Sequence, residues 1–410
     1  MKVLFICPYN PFPPNSGNKT LTYNLIKALS NDINIDILII EDDQEKSQSS
    51  KKSYIKKLVP LIKNIYFFKK NKNKFSIFGK LILILKGRHP SLSNYENKHL
   101  RRWLLVNSKN YNIIHFDTIL TVNYLRFINT EISLLVASDA YSMATKRARI
   151  FTRGLYKNLR LILQEFCFKN IEVKLYPKFK KVITVSPIDA EYLKRISPKI
   201  NIDNLPIPIS DDFKETSIKH FQSVNTQPEK VRILFVGSLS HPIISSNIVS
   251  VIKLLRKSLL FSNNLEMVIL GKDPHPIIKD ILEKNITHIE YVEDYKKFLD
   301  QDWIYVYAQK CASGLQTKLQ KAMAMGLPVI ARPVSLGGLF PTHNKDILVA
   351  KSDSDFEKNV ELLIKNPELR TYIGKNARSN ILGNFSSEIV KKMYLNTYKK
   401  LLNIDFINSF

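Results

Sequence analysis

Cysteine is scarce in this sequence. The chain of 410 residues has three cysteines, Cys7, Cys167 and Cys311, which lie far apart. An odd number at such spacing excludes a disulfide framework and the paired Cys-x-x-Cys arrangement of many metal sites. Few and isolated cysteines are typical of proteins in a reducing compartment, so the sequence predicts a cytoplasmic protein.

Long apolar runs are also missing. The best candidate, residues 75–85, is too short for a membrane-spanning helix and is interrupted by Lys80. The opening MKVLFICPYNPFPP has only a short apolar run before its prolines, which predicts a first β-strand and not a signal peptide.

The common metal and dinucleotide signatures do not occur in a matching context. There is no HExxH, no cluster of cysteine and histidine and no GxGxxG after a strand. We therefore expect no metal site and no bound cofactor, and a nicotinamide cofactor in particular is disfavoured.

Acidic residues are absent from one long stretch. Residues 46–88 contain thirteen lysines or arginines and no acid, within a chain of net charge +26. One interpretation is a solvated insertion; the other is an anionic-membrane surface patch, because apolar side chains are interleaved with the cations. Membrane binding would place a cytoplasmic protein peripherally on the inner face of the membrane. A nucleic-acid partner is not predicted, since the sequence has no recognition helix, RNA-binding strand signature or zinc module.

The order of the predicted elements indicates two βα domains. Apolar runs without alternation are followed by glycine-containing loops and helical stretches, as in a parallel sheet buried on both faces. Residues 204–209 read NLPIPI, which predicts a stiff crossing between the domains, and the strand–turn pattern restarts at Ile233. Residues 141–175 are predicted to form one long basic helix.

The most informative stretch is Cys311 to Pro328, CASGLQTKLQKAMAMGLP. A small-residue turn containing Gly314 leads into a helix that ends at Gly326. Free backbone N–H groups and the positive end of a helix dipole suit a phosphate. Lys318 lies one turn inside that helix and adds a positive charge, whereas the alternative is an ordinary strand–turn–helix.

This stretch resembles the donor-sugar segment of GT-B glycosyltransferases of the GT4 type, within the glycosyltransferase family 1/4 group. It is most similar to the exosortase-associated sugar transferases. The matching residues are Gly314, Gln316, Lys318, Met323, Gly326 and Pro328. The opening MKVLFICPYNPFPPNSGNK and the segment VITVSPIDAEYL also resemble these enzymes.

The resemblance implies an α/β protein of GT-B fold, with two Rossmann-like domains whose parallel sheets face a central cleft. We expect an acceptor domain at residues 1–205 with a basic insertion near 46–90, and a nucleotide-sugar domain at residues 206–385. The C-terminal helix, residues 386–410, is expected to cross back onto the N-terminal domain.

The resemblance also implies site residues. In the donor domain, Lys318 and the turn would stabilise the leaving diphosphate, Gly237 would allow close approach of the nucleotide, and Val292 would hold the base. The full donor-binding set is Gly17, Gly237, Ser238, Val292, Ser313, Gly314, Leu315, Gln316, Lys318 and Lys321. On the acceptor side, Asp139 is a candidate base or a helix cap, and His115 is a candidate catalytic residue or a histidine satisfied at a strand end.

This chain departs from the relatives at several positions. The relatives carry glutamates where this chain has Ser313 and Lys321, and an ammonium cannot accept hydrogen bonds from ribose hydroxyls. The predicted function is metal-independent, retaining transfer of a hexosyl-type sugar from a nucleotide-diphospho-sugar to a glycan or lipid-linked acceptor in cell-surface polysaccharide synthesis. The alternative is a catalytically impaired, glycosyltransferase-like subunit that binds a partner enzyme.

Overall fold

The structure is a computed structural model that describes residues 1–41, 59–71, 76–152, 154–215, 231–257, 265–312 and 314–403. Contacts divide the chain into two compact units. The first unit comprises Met1–Pro208 together with the segment that starts at Ser387, and the second comprises Ile209–Ser386.

The first unit is built on a parallel sheet. Within the described residues it has seven strands: β1 (Lys2–Cys7), β2 (Asn34–Glu41), β3 (Asn64–Lys69), β4 (Ile113–Asp117), β5 (Ser133–Ala137), β6 (Lys181–Thr184) and β7 (Ile202–Asn204). Their order is β3-β2-β1-β4-β5-β6-β7. The order reverses between β1 and β4, which makes the gap between these two strands the topological switch point.

Strand β1 shows why the sheet is covered on both sides. Val3 and Phe5 pack into one apolar cluster, and Leu4 and Ile6 pack into the other. Successive side chains of a strand point to opposite faces, so a continuous apolar run must be buried on both. The short run without alternation therefore predicts this strand correctly.

Six described helices of the first unit lie before residue 209: α1 (Gly17–Leu29), α2 (Ile77–Leu85), α3 (Lys98–Asn107), α4 (Tyr141–Ile150), α5 (Leu155–Leu175) and α6 (Pro187–Ile196). Short 3-10 segments also occur at Val59–Leu61, Pro90–Tyr95, Ser108–Asn110, Ile119–Phe127, Thr130–Ile132 and Tyr176–Lys178. Helix α1 covers one face of the sheet, and α3, α5 and α6 contribute to the cluster on the other.

The prediction of one helix across residues 141–175 is wrong. Helix α4 ends at Ile150 and α5 begins at Leu155. Gly154 has a φ of 102°, a conformation that a helix interior does not contain, so the chain changes direction there.

The basic stretch 46–88 is only partly described. Residues 42–58 and 72–75 lie outside the described residues, so the predicted membrane patch falls largely on them. Of the remainder, Asn64–Lys69 pairs with β2 as the edge strand β3, and Ile77–Leu85 forms α2.

The second unit repeats the same architecture on a smaller scale. Its described strands are β8 (Val231–Val236), β9 (Leu265–Leu270), β10 (Ile286–Ile289), β11 (Trp303–Tyr307), β12 (Val329–Ala331) and β13 (Leu348–Val349). They are parallel in the order β10-β9-β8-β11-β12-β13, with the reversal between β8 and β11. Both units are therefore Rossmann-like.

The helices of the second unit cover its sheet. They are α7 (Asp212–Glu215), α8 (Pro242–Lys257), α9 (Pro276–Lys279), α10 (Tyr295–Leu299), α11 (Thr317–Ala324), α12 (Asp353–Lys365) and α13 (Pro367–Phe385), and a 3-10 segment occurs at Pro333–Ser335. Helices α8, α12 and α13 share one apolar cluster with the strands. Leu319, Ala322 and Met323 of α11 are fully buried, as their helical spacing predicts.

The last helix of the chain returns to the first unit. Helix α14 (Ser387–Leu401) places Val390, Tyr394 and Tyr398 in the apolar cluster that contains α1 and β1. Within the described residues, no helix is both long enough and apolar enough to span a membrane.

Candidate functional site

The candidate site of the second unit lies at its topological switch point. Strands β8 and β11 are hydrogen-bonded neighbours, and the loops that follow their carboxyl ends lead to α8 and α11. In open α/β sheets, ligands bind in the crevice outside these carboxyl ends. The predicted residues Gly237, Ser238, Gly314 and Lys318 belong to these two loops and to the start of α11.

The loop after β8 packs tightly against its neighbours at Gly237, whereas the next residue is exposed. A Cβ on Gly237 would lie 2.8 Å from Ile244 Cγ2, and one on Gly271 would lie 2.3 Å from the Gly237 carbonyl oxygen. Glycine is therefore required for the close approach of these two loops. Ser238, the next residue, is exposed and carries a hydroxyl at the carboxyl end of β8.

The turn before α11 is shaped by Gly314 and Gln316. Gly314 is buried and has a φ of 58°, in the left-handed region that favours glycine. Gln316 occupies the N-cap position, but its side chain makes no capping hydrogen bond. Its Oε1 instead accepts a 2.7 Å hydrogen bond from the Tyr307 hydroxyl. The first turn of α11 is thus left without the side-chain cap that Ser, Thr or Asp supplies in many helices.

Lys318 joins the two loops. Its Nζ donates a 3.3 Å hydrogen bond to Ser238 Oγ, which places an ammonium across the switch point. Burial lowers the pKa of Lys318. Burial, followed by the positive charge of Lys318, also lowers the pKa of Lys321.

These two ammonium groups form a positive pair that lacks an acid. Among the described residues, no carboxylate makes an ion pair with Lys318 or Lys321, and the Nζ of Lys321 lies 5.9 Å from the centroid of the Tyr295 ring. Partly desolvated like charges are unfavourable unless an anion accompanies them. The chemistry of the site therefore suits a phosphate or diphosphate.

A third cation at this edge of the sheet is already neutralised. Arg332 follows β12 and is 7% exposed. Its guanidinium donates to Asp353, which also accepts a 3.2 Å hydrogen bond from Lys310 Nζ. Burial acts to raise the pKa of Asp353, but the hydrogen bonds from Arg332 and Lys310 lower it. Arg332 is thus a structural cation, in contrast to Lys318 and Lys321.

The remaining donor-side predictions are placed differently. Leu315 is 8% exposed and packs inside the unit. Val292 is half-buried in the loop between β10 and α10, and β9 separates β10 from β8. Strand β10 ends at Ile289, opposite Leu270, so Val292 lies in the loop that follows it. Ser313 lies outside the described residues.

The first unit has polar groups at its own switch point, between β1 and β4. Asp117 ends β4 and is 4% exposed, and its Oδ2 accepts a 2.7 Å hydrogen bond from Thr22 Oγ1. Burial raises its pKa to about 6, although hydrogen bonds from Thr22 and Tyr9 act in the opposite direction. A small cavity lined by Thr22, Asp117 and Ser138 adjoins it.

The residue after Asp117 is strained. Thr118 is buried with a φ of 65° and a ψ of 166°, a conformation that a β-branched residue rarely adopts. Its N–H donates to the Val136 carbonyl and its Oγ1 accepts from Leu120 N, so the surrounding structure holds it there. Such outliers cluster at functional sites, which points to this edge of the sheet. Asp117 is not among the residues predicted from the sequence, although an acid that ends a strand next to the switch point is a usable signal.

His115 lies below this edge, in the core. It is 2% exposed, its ring stacks on Phe5 at 4.2 Å, and its Nδ1 is 3.0 Å from the hydroxyl of Tyr398. Burial lowers the pKa of His115 to about 3, so the ring is neutral at physiological pH. The structure thus places it as a histidine satisfied within the fold.

Asp139 lies at the carboxyl end of β5 and is half-buried. Two buried acids hold the backbone that follows it. Asp189 accepts a 2.7 Å hydrogen bond from Ala140 N, and Glu172 accepts a 3.1 Å hydrogen bond from Ser142 N. Burial raises the pKa of Glu172 to about 7. The backbone that follows Asp139 is therefore fixed by two buried carboxyl groups.

Gly17 is the first residue of α1 and is exposed, after Ser16, whose side chain makes no capping hydrogen bond. The structure thus places Gly17, His115 and Asp139 in the first unit. The predicted phosphate-binding groups, Ser238, Lys318 and Lys321, lie in the second.

Comparison with known proteins bears on both units. Residues 230–366 match the family model described as glycosyl transferases group 1. Solved structures align with almost the whole chain. The chain has the GT-B fold. The expected fold class is confirmed, and the match to glycosyl transferases group 1 lies within the second unit.

Two solved structures illustrate the likeness. HepE of Anabaena, in complex with UDP and glucose, is 14% identical, with a TM-score of 0.65 over 98% of this chain and 100% of that one. Sucrose-phosphate synthase of Thermosynechococcus elongatus is 15% identical, with a TM-score of 0.72 over 99% of this chain and 100% of that one.

One relative matches this sequence over nearly the whole length of both proteins. An uncharacterised glycosyltransferase of Methanocaldococcus jannaschii is 22% identical, over 98% of this chain and 99% of that protein. The GT4 subtype and the kinship with the exosortase-associated group stay predictions.

Proposed function

We propose that the chain is a glycosyltransferase that moves a sugar from a nucleotide-diphospho-sugar to a glycan or lipid-linked acceptor in cell-surface polysaccharide synthesis. One observation carries the proposal. Two partly desolvated lysines of α11, Lys318 in its first turn and Lys321 in its last, make no ion pair with any described acid. The match of residues 230–366 to glycosyl transferases group 1 and the UDP bound to HepE support the same substrate class.

In this mechanism, the bond between the sugar and the diphosphate breaks while the acceptor oxygen attacks the sugar carbon. Charge then grows on the departing diphosphate. Lys318, held by Ser238, and the N–H groups of α11 stabilise that charge, which is most useful in the transition state. We propose that the transfer is metal-independent and retains the anomeric configuration, with a hexosyl group as the sugar.

The acceptor hydroxyl would be oriented in the first unit. Asp139 stays the predicted base, and Asp117 is added as a second candidate. The raised pKa of Asp117, about 6, leaves its carboxylate with a stronger affinity for a proton than an exposed aspartate has. His115 is assigned to the fold and not to the chemistry, because its ring is enclosed by Phe5 and Tyr398.

A second candidate function is favoured by Lys321. If the ribose binds where relatives place it, Lys321 offers donors and no acceptor. The protein would then bind a partner enzyme and catalyse nothing by itself. Unlike the active transferase, such a subunit would bind no nucleotide sugar with useful affinity.

The test is calorimetric titration with a panel of nucleotide sugars, together with a transfer assay on Lys318→Ala. We expect the wild type to bind at least one nucleotide sugar, and the variant to lose roughly 100-fold in kcat/KM, the range for a positioned electrostatic donor. Lys358→Ala, on the exposed side of α12, is the matched control and should change neither quantity. A wild type that binds no nucleotide sugar would overturn the proposal.

A further inference from the structure

A cavity of about 480 Å³ lies in the first unit, away from the candidate site. It is lined by residues of three segments, 87–93, 122–130 and 170–178. Thr130 precedes the start of β5 by three residues, and Lys178 precedes the start of β6 by three. The cavity therefore opens at the amino end of these strands, whereas Asp117 and Asp139 follow the carboxyl ends of β4 and β5. Its volume is in the range of sites for small ligands.

The rim of this cavity is positively charged. Arg88, Arg126, Lys174 and Lys178 line it, and none of its lining residues is acidic. Glu96 lies 3.0 Å from Arg88 and 4.0 Å from Arg126 and also pairs with Arg101, so one carboxylate serves three guanidinium groups. Among the described residues, no ion pair or side-chain hydrogen bond involves the ammonium groups of Lys174 and Lys178, and both lysines are exposed. An excess of positive charge thus faces the opening.

The floor of the cavity is apolar. Leu92, Val122, Leu125 and Ile171 are each buried to at least 95% and line it. An apolar floor under a cationic rim fits a ligand that has an anionic head and an apolar part. A fully hydrated ion such as free phosphate would gain nothing from the floor.

Two exposed apolar helix faces belong to the same region of the unit. On α2, Phe78 is 71% exposed and Leu85 is 74% exposed. On α5, the exposed residues Leu155, Leu159, Ile162 and Phe166 recur at helical spacing and form one stripe.

The end of α2 is fixed against α5 at the cavity itself. Asn170 Nδ2 donates a 2.9 Å hydrogen bond to the Gly87 carbonyl, and His89 stacks on Phe168 at 4.5 Å. The chain leaves α2, turns at Gly87, which has a φ of 65°, and supplies Arg88 to the rim. The exposed face of α2 therefore leads directly into the cationic cavity.

We infer that this cavity binds an anionic membrane phospholipid, with its phosphate at the cationic rim and its apolar part against the apolar floor, while Phe78 and Leu85 of α2 enter the acyl region of the bilayer. Charge complementarity selects this occupant. A second copy of the chain would bring the same cationic rim against itself in a protein of net charge +26, which is unfavourable. A lipid supplies both the anion for Lys174 and Lys178 and the apolar medium for α2.

The inference does not depend on sugar transfer, and it adds a specific site to the general attraction expected from the basic stretch 46–88. The experiment is co-sedimentation of the full chain with vesicles, either pure phosphatidylcholine or an equal mixture with phosphatidylglycerol. We expect binding only to the mixed vesicles. Lys174→Ala/Lys178→Ala should lower the partition coefficient on the order of 10-fold, as the loss of two lysines at an anionic surface predicts.

The matched control is Lys194→Ala/Lys199→Ala, two exposed lysines of the same unit outside the cavity, which remove the same charge. The control should bind within about twofold of the wild type, and Phe78→Ser/Leu85→Ser should reduce binding to the mixed vesicles. If both double lysine variants lost vesicle binding to the same extent, the attraction would be diffuse, and the head-group site would be overturned. Thermal stabilisation by glycerol phosphate with no vesicle binding would overturn the lipid assignment in favour of a soluble anion.

Nucleotide-sugar titration of the same variants separates this inference from the proposed function. Retained nucleotide-sugar binding in Lys174→Ala/Lys178→Ala, with loss of vesicle binding, supports a lipid site that is distinct from the candidate donor site. If this variant lost both vesicle binding and nucleotide-sugar binding while its near-ultraviolet circular dichroism stayed unchanged, the two sites would not be distinct.

Discussion

Replacing Lys321 with glutamate should raise the stability of the free protein and weaken its binding of a nucleotide diphosphate. Lys318 and Lys321 are three residues apart on α11, and the charge of Lys318 contributes to the lowered pKa of Lys321. A like-charge pair at this spacing destabilises a helix by about 0.2–0.5 kcal/mol, and an opposite-charge pair stabilises it by a similar amount. Lys321→Glu should therefore add about 0.5–1 kcal/mol, or a rise of roughly 1–4 °C in Tm.

The effect on binding has the opposite sign. Two charges about 6 Å apart interact with about 3 kcal/mol at an effective dielectric constant of 20, and partial exposure to solvent reduces this. Reversing the charge of Lys321 beside a diphosphate should therefore cost about 1–3 kcal/mol, a loss of roughly 5- to 150-fold in affinity. The higher Tm and the weaker binding together distinguish this outcome from general damage to the fold.

Differential scanning calorimetry and isothermal titration with the nucleotide sugar measure the two quantities. Lys358→Glu, an exposed residue of α12, makes the same charge change away from α11 and is the control. If Lys321→Glu binds the nucleotide sugar more tightly, the ribose and not the diphosphate lies beside residue 321. If neither Lys318→Ala nor Lys321→Glu alters binding, the assignment of the donor site to α11 fails.

Three further substitutions test the described geometry. Gly271→Ala should destabilise the protein by about 1–3 kcal/mol in urea unfolding, because its Cβ would lie 2.3 Å from the Gly237 carbonyl oxygen, and an unchanged midpoint would contradict this packing. Tyr398→Phe should cost about 1–3 kcal/mol, since it leaves the buried Nδ1 of His115 without its hydrogen bond; a cost near zero would mean that another group satisfies the ring. Glu172→Gln should flatten the dependence of stability on pH. The raised pKa of Glu172, about 7, means that the folded state holds a proton that the unfolded state releases near 4.5, so its contribution is present at low pH and is lost as the pH rises to about 7. A slope between pH 5 and 7 that is identical in the wild type and the variant would refute this role.

Much of the fold could be predicted because local pattern and tertiary burial agree. The continuous apolar run of β1 predicts a strand buried on both faces, and the helical spacing of apolar residues in α11 predicts a helix buried on one face. The break at Gly154 was missed because residues 141–175 are helical in composition on both sides of it. Strand β3 was missed for a similar reason, since Lys69 and the flanking Lys63 and Lys70 conceal an edge strand within a stretch that reads as an insertion.

The candidate site was predictable where it depends on one local motif. Gly314 could be predicted from the small-residue loop before α11, and Lys318 from its place in the first turn of that helix. His115 and Asp117 lie two residues apart on β4, and nothing local distinguishes them. The distinction comes from Tyr398, a residue 283 positions away that covers His115. No single-sequence pattern records which part of a strand a distant helix will cover.

The return of α14 to the first unit has a consequence for synthesis on the ribosome. All of Ile209–Ser386 is translated between the first unit's sheet and the helix that completes its apolar cluster. The second unit is contiguous and can fold as soon as it emerges, but the face around Phe5 must wait for Val390 and Tyr394. We therefore expect the first unit, although it is made first, to reach its native packing last and to be the part that nascent-chain chaperones protect.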